Sequence, residues 1–131
     1  MPAPEPKKIL VVDDDADLQK YCRTILEAAG YAVVSAESAQ DGQRLAESEH
    51  PDLVLLDIMM EAPDAGFHMA EWLAKKFPGL PVLMLSSIAE AAEQVFDTST
   101  LPVAELLGKP IEPKELTGKI AKLLARSGTP R

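Results

Sequence analysis

Four short aliphatic runs in this chain each stop at a polar, chemically capable side chain. Ile9 to Val12 leads into Asp13, Asp14 and Asp15, and Leu53 to Leu56 leads into Asp57. Val82 to Leu85 leads into Ser86 and Ser87, and Val103 to Leu107 leads into Gly108, Lys109 and Pro110. Continuous β-branched and aliphatic runs of this length suit strands buried on both faces, the situation of a parallel sheet covered by helices. If the runs are parallel neighbours, their polar ends meet at one edge of one sheet.

The segments between the runs support that arrangement. Leu18, Cys22, Ile25, Leu26 and Ala29 fall on one helical face, and Gly30 is a stop signal. Tyr31 to Ala36 reads as a further strand. Ser38 and Asp41 resemble a capping box opening a helix through Ser48, which Gly42 weakens by roughly 1 kcal/mol. A helix over 66–77 places Phe67, Ala70, Leu73 and Ala74 inward. Residues 88–97 have helical character, and Pro113 opens a last helix with Leu116, Ile120, Leu123 and Leu124 inward.

Strand and helix thus alternate five times, which predicts an α/β fold with a parallel sheet between two helical layers. Right-handed crossovers leave few topologies. The expected one is a flavodoxin-like, doubly wound (βα)5 three-layer sandwich with strand order 2-1-3-4-5. Ligands in such sheets bind beyond the carboxyl ends of the strands, near the point where the order reverses. Residues 1–6 read as a Pro-rich arm, 7–126 as the globular unit and 127–131 as a tail, within a chain of 131 residues, the length of one domain.

Charge and composition exclude several function classes. A net charge of -8 argues against direct nucleic-acid binding, which needs a basic face. Cys22 is the only cysteine, so neither an intrachain disulfide nor a thiolate zinc site is available; it reads as a small core residue. No apolar stretch reaches the roughly 18 residues needed to span a bilayer. A soluble, cytoplasmic protein without membrane insertion is expected.

Each polar strand end has a plain reading and a chemical one. Asp13 and Asp14 would suit the positive end of the following helix, or Mg²⁺, which takes one or two carboxylates plus waters and phosphate oxygens. Asp15, nearer the helix, reads as its cap. Asp57 is either a solvated strand end or a nucleophile that forms an acyl phosphate beside a divalent cation. Ser86 is a turn hydroxyl or a donor to a phosphate oxygen. Lys109 is a solvated lysine or a point charge for an anionic oxygen. His50 and His68 read as surface or loop residues.

Taken together, Ile9 to Asp15, Asp52 to Met60, Pro81 to Ser86 and Lys109-Pro110 resemble the receiver domain of two-component response regulators, in that family's order and over residues 7 to about 126. The resemblance implies Asp57 as phosphoacceptor. It implies Mg²⁺ held by Asp14 directly, by Asp13 mainly through water, by Asp57, and by the backbone carbonyl of Met59. Ser86 would be the switch hydroxyl and Lys109 its ionic partner. The donor would be a histidine kinase or a histidine phosphotransfer protein, and the signal would pass to an output protein of unknown identity. A homodimer through the face of the helix over 88–97, the fifth strand and the last helix is a further expectation. The domain would signal, promoting only its own phosphorylation and dephosphorylation.

The chain departs from the family pattern in places. The loop after Asp57 has Glu61-Ala62-Pro63-Asp64-Ala65-Gly66 in place of the usual Pro and Gly turn, and Leu106 stands where the family usually has Tyr or Phe. Met59 and Ile88 are apolar where the family tunes access of the hydrolytic water, so a long-lived acyl phosphate is expected. Leu106 and the loop favour an alternative, a phosphorylation-independent interaction module of the same fold. A metal-dependent phosphohydrolase would want a second acid two residues after the nucleophile, where Met59 stands. Arg126 is followed by no output domain, which leaves a single-domain regulator and one module of a longer protein both open.

Overall fold

The computed structural model describes residues 6–57, 65–87, 105–109 and 112–127. In chain order they form β1 (Lys8–Val12), α1 (Ala16–Ala28), β2 (Ala32–Ala36), α2 (Ala39–Glu49), β3 (Leu53–Asp57), α3 (Ala65–Lys76), β4 (Val82–Ser87), β5 (Glu105–Lys109) and α4 (Pro113–Ser127). The five strands form one sheet in the order β2-β1-β3-β4-β5, all pairs parallel, as the alternating pattern predicts. The helix expected over 88–97 lies outside the described residues.

Strand alternation sorts the core into two layers. Ile9, Val11, Leu53, Leu55, Leu83 and Leu85 face Cys22 and Leu26 of α1 and Leu116, Ile120, Leu123 and Leu124 of α4. Leu10, Val12, Val54, Leu56 and Met84 face Ala46 of α2 and Met69, Ala70 and Leu73 of α3. A two-sided sheet explains why the central strands read as continuous aliphatic runs: each Leu or Ile fully buried contributes roughly 1.5–3 kcal/mol relative to exposure, on whichever face it lies.

Helix ends follow local chemistry. Asp15 caps α1, its carboxylate accepting from the backbone N–H of Asp17 and Leu18 at 3.0 and 3.3 Å. The same helix closes as a Schellman motif: Tyr31 N–H donates to Leu26 O, Gly30 N–H donates to Glu27 O, and Gly30 takes φ +97°. Ser38 caps α2 by accepting from Asp41 N–H at 3.1 Å, while the Asp41 carboxylate takes Arg44 at 2.6 Å.

Three expectations need correction. On α3, Met69 is buried and Ala74 is exposed; alanine is small enough to suit either side, whereas Met69 fills the space beneath α2. β5 carries on through Gly108 and Lys109, past Leu107 where the hydrophobic run stops, because backbone pairing with β4 continues there; Val103 and Ala104 lie outside the described residues. For the same reason β4 extends through Ser87.

Candidate functional site

The carboxyl edge of the sheet collects the chemistry. β1 and β3 pair in register, Val12 opposite Leu56, so Asp13 and Asp57 follow neighbouring rungs, with backbones about one strand spacing apart, ~4.8 Å. Asp57 is the last rung of β3 and pairs across to Leu85 of β4. Ser86 pairs with Gly108, and Ser87 with Lys109. Four of the predicted site positions therefore share one edge of four adjacent strands. The polar residues of β3, β4 and β5 occupy the final rungs themselves, so the backbone ladder fixes their positions.

Burial separates the acids. Asp13 is 0% exposed and Asp57 3%, whereas Asp14 and Asp15 are exposed. The Asp13 backbone N–H donates to Ala36 O at 3.0 Å, and its Oδ1 accepts from Asp15 N–H at 2.9 Å. Two carboxylates buried on adjacent strands favour nearby positive charge, which a divalent cation or an ammonium supplies. Among the described residues no three His, Cys, Asp or Glu side chains form a metal-holding group. Met59 and Ile88 lie outside the described residues.

Gln19 escaped the sequence reading. It lies on the apolar face of α1 with Cys22 and Leu26, and is 7% exposed. Its side-chain Nε2 donates to Val11 O at 3.1 Å, Asp13 O at 3.0 Å and Ala36 O at 2.7 Å. The available signal was a polar residue at a core position of a helix that starts beside the acids. His50 and His68 are exposed, as expected, and His50 ends α2 in the left-handed region with φ 51° and ψ 60°.

The family model of the response regulator receiver domain matches residues 9–121. The chain belongs to the response regulator receiver family. It is 36% identical over 124 residues to the probable transcriptional regulator ycf27 of Cyanophora paradoxa, covering 95% of this chain and 51% of that protein. It is 33% identical over 121 residues to the alkaline phosphatase synthesis transcriptional regulatory protein PhoP of Bacillus subtilis, covering 92% and 50%. The receiver thus spans about half the length of these curated relatives. Among solved structures, the CheY-like receiver domain protein of Methanospirillum hungatei superposes with a TM-score of 0.82 at 32% identity, covering 94% of this chain and 97% of that one. NtrX of Brucella abortus superposes at 0.86 with 26% identity, covering 94% and 28%.

The receiver is a signalling domain of two-component systems, and the family match accounts for the parallel sheet and its acidic edge. Among its described residues no helix is long and apolar enough to cross a membrane.

Proposed function

We propose that this receiver, over residues 7–126, takes a phosphoryl group onto Asp57 from a phosphohistidine of a kinase or phosphotransfer protein. The observation that carries the reading is the buried pair Asp13 and Asp57 at the carboxyl ends of adjacent central strands. A carboxylate oxygen of Asp57 attacks phosphorus in line; the P–O bond forms as the P–N bond to imidazole breaks, and the imidazole leaves and takes up a proton. Water later attacks the acyl phosphate, releasing inorganic phosphate and restoring the carboxylate. Asp13, Asp14, Asp57 and the Met59 carbonyl would hold Mg²⁺, which when bound neutralises phosphoryl oxygens and favours in-line attack.

Ser86 would donate its hydroxyl to a phosphoryl oxygen, and Lys109 would pair with another. Phosphorylation replaces the single carboxylate charge with a phosphoryl group carrying roughly 1.5–2 negative charges, and these two residues transmit that change to the face around β5 and α4. That face serves an output protein, or a second copy of the chain in a homodimer. The domain works in the cytoplasm without binding nucleic acid itself, and its only turnover is its own phosphorylation and dephosphorylation. The apolar Met59 and Ile88 give a slowly hydrolysed acyl phosphate; a polar residue at Met59 should quicken its decay.

The test is phosphorylation by acetyl phosphate with Mg²⁺, read by intact mass. Wild type gains one phosphoryl group and Asp57→Ala gains none. Equal labelling of both proteins would exclude Asp57 as the acceptor. Beryllofluoride with Mg²⁺ should shift amide resonances across β4 and β5; a silent spectrum would favour a phosphorylation-independent module.

A further inference from the structure

The buried amide of Gln19 has no role in the chemistry proposed above, yet it sits directly behind it. A side-chain amide carries two N–H donors, and here three carbonyls lie within 2.7–3.1 Å of the one nitrogen. That fixes the amide's orientation, because the oxygen in its place would face three acceptors. Two of the carbonyls, those of Val11 and Asp13, flank the last residue of β1. The third, Ala36 O, ends β2 and also accepts the Asp13 N–H. Both backbone polar groups of Asp13 are therefore held, the N–H by Ala36 and the carbonyl by Gln19.

Simple packing would not select this residue. Cys22 and Leu26 fill neighbouring positions of the same helix face with apolar groups. Gln19 instead places a donor where β1 leaves the sheet and the chain turns toward Asp14 and α1. A carboxylate aims only as well as its backbone is fixed, and the Asp13 Oδ1 contact to Asp15 N–H depends on the same turn. We infer that Gln19 is a positioning residue of the acidic site: by holding the Asp13 peptide it sets the aim of the Asp13 carboxylate toward a bound divalent cation. This rests on the reading of Asp13 as part of a Mg²⁺ site.

The experiment is a Mg²⁺ titration of the unphosphorylated protein followed by amide chemical shifts, with hydrogen exchange of the Asp13 and Asp15 amides measured without metal. Gln19→Met keeps the size and removes the donors. Its Mg²⁺ midpoint should rise by about tenfold, the lower end of what losing a group that orients a metal ligand typically costs, and both amides should exchange faster. Leu26→Ala, a cavity on the same helix face, should lower stability and leave the midpoint alone. Gln19→Asn, whose amide is one methylene short, serves by the same criterion if Gln19→Met does not fold.

A wild-type midpoint in the Gln19 variant, with Asp13→Asn still weakened, overturns the positioning role alone. Equal weakening by Leu26→Ala overturns it too, since stability would then be the cause. A wild-type midpoint in Asp13→Asn removes the metal-site reading and the inference with it.

Discussion

At Asp57 a carboxylate stands 3% exposed at the end of a strand whose every residue is buried, so its chemistry depends on what the neighbouring strand ends bring to it. At His50 the tension is conformational. A non-glycine residue in the left-handed region costs roughly 1–2 kcal/mol, and glycine is the usual residue just past a helix end. His50→Gly should therefore stabilise the fold by about 1 kcal/mol in urea denaturation, with phosphorylation unchanged. A loss of stability would mean that the imidazole contributes more to the cleft it lines, with Pro51, Phe77 and Leu80, than the strain costs.

Between elements, α2 packs closely on β1 and α3. A Cβ at Gly42 would lie 2.7 Å from Met69 Cε and 3.0 Å from Val12 Cγ2, so the glycine that weakens the helix locally is what lets it approach β1 and α3. The Met69 tip can swing aside at little cost, so the overpacking, about 1–2 kcal/mol, rests largely on the stiffer Val12, and it opposes a helix-propensity gain near 1 kcal/mol for alanine. Gly42→Ala should be destabilising by up to about 1 kcal/mol on that balance, and the penalty should shrink in a Met69→Ala background. Additive losses in the double mutant would show that Met69 is not what Gly42 accommodates. The cap of the same helix gives a separate test: Ser38→Ala should lose about 1 kcal/mol, measured by thermal melting.

For the whole molecule, a cation bound only by the folded state adds to stability by mass action. Mg²⁺ at a hundredfold excess over its Kd should contribute roughly 2.7 kcal/mol. The rise in Tm with Mg²⁺ should disappear in Asp13→Asn, and the test is a set of melts across Mg²⁺ concentration; an undiminished rise in the variant would place the cation elsewhere. The alternation of elements and the strand order were readable in advance, because buried parallel strands and one-sided helices leave different hydrophobic periods, whereas which helices share a face was not. Strand ends were less so: β4 and β5 continue into Ser87 and Lys109 through backbone pairing that no hydropathy pattern records.

The sequence by itself determined the alternation of strand and helix, the identity of the acids at the strand ends, and the capping of α1 by Asp15, since each rests on local periodicity or on one residue's own hydrogen-bonding chemistry. Tertiary structure decided which of those acids are buried, with Asp13 enclosed and Asp14 left in solvent. It also decided that Gln19, which the sequence reading passed over, reaches three carbonyls, those of Val11 in β1, Asp13 just beyond it and Ala36 in β2. The physical reason is that burial and long-range hydrogen bonding belong to neighbours brought together only when the sheet and its helices close.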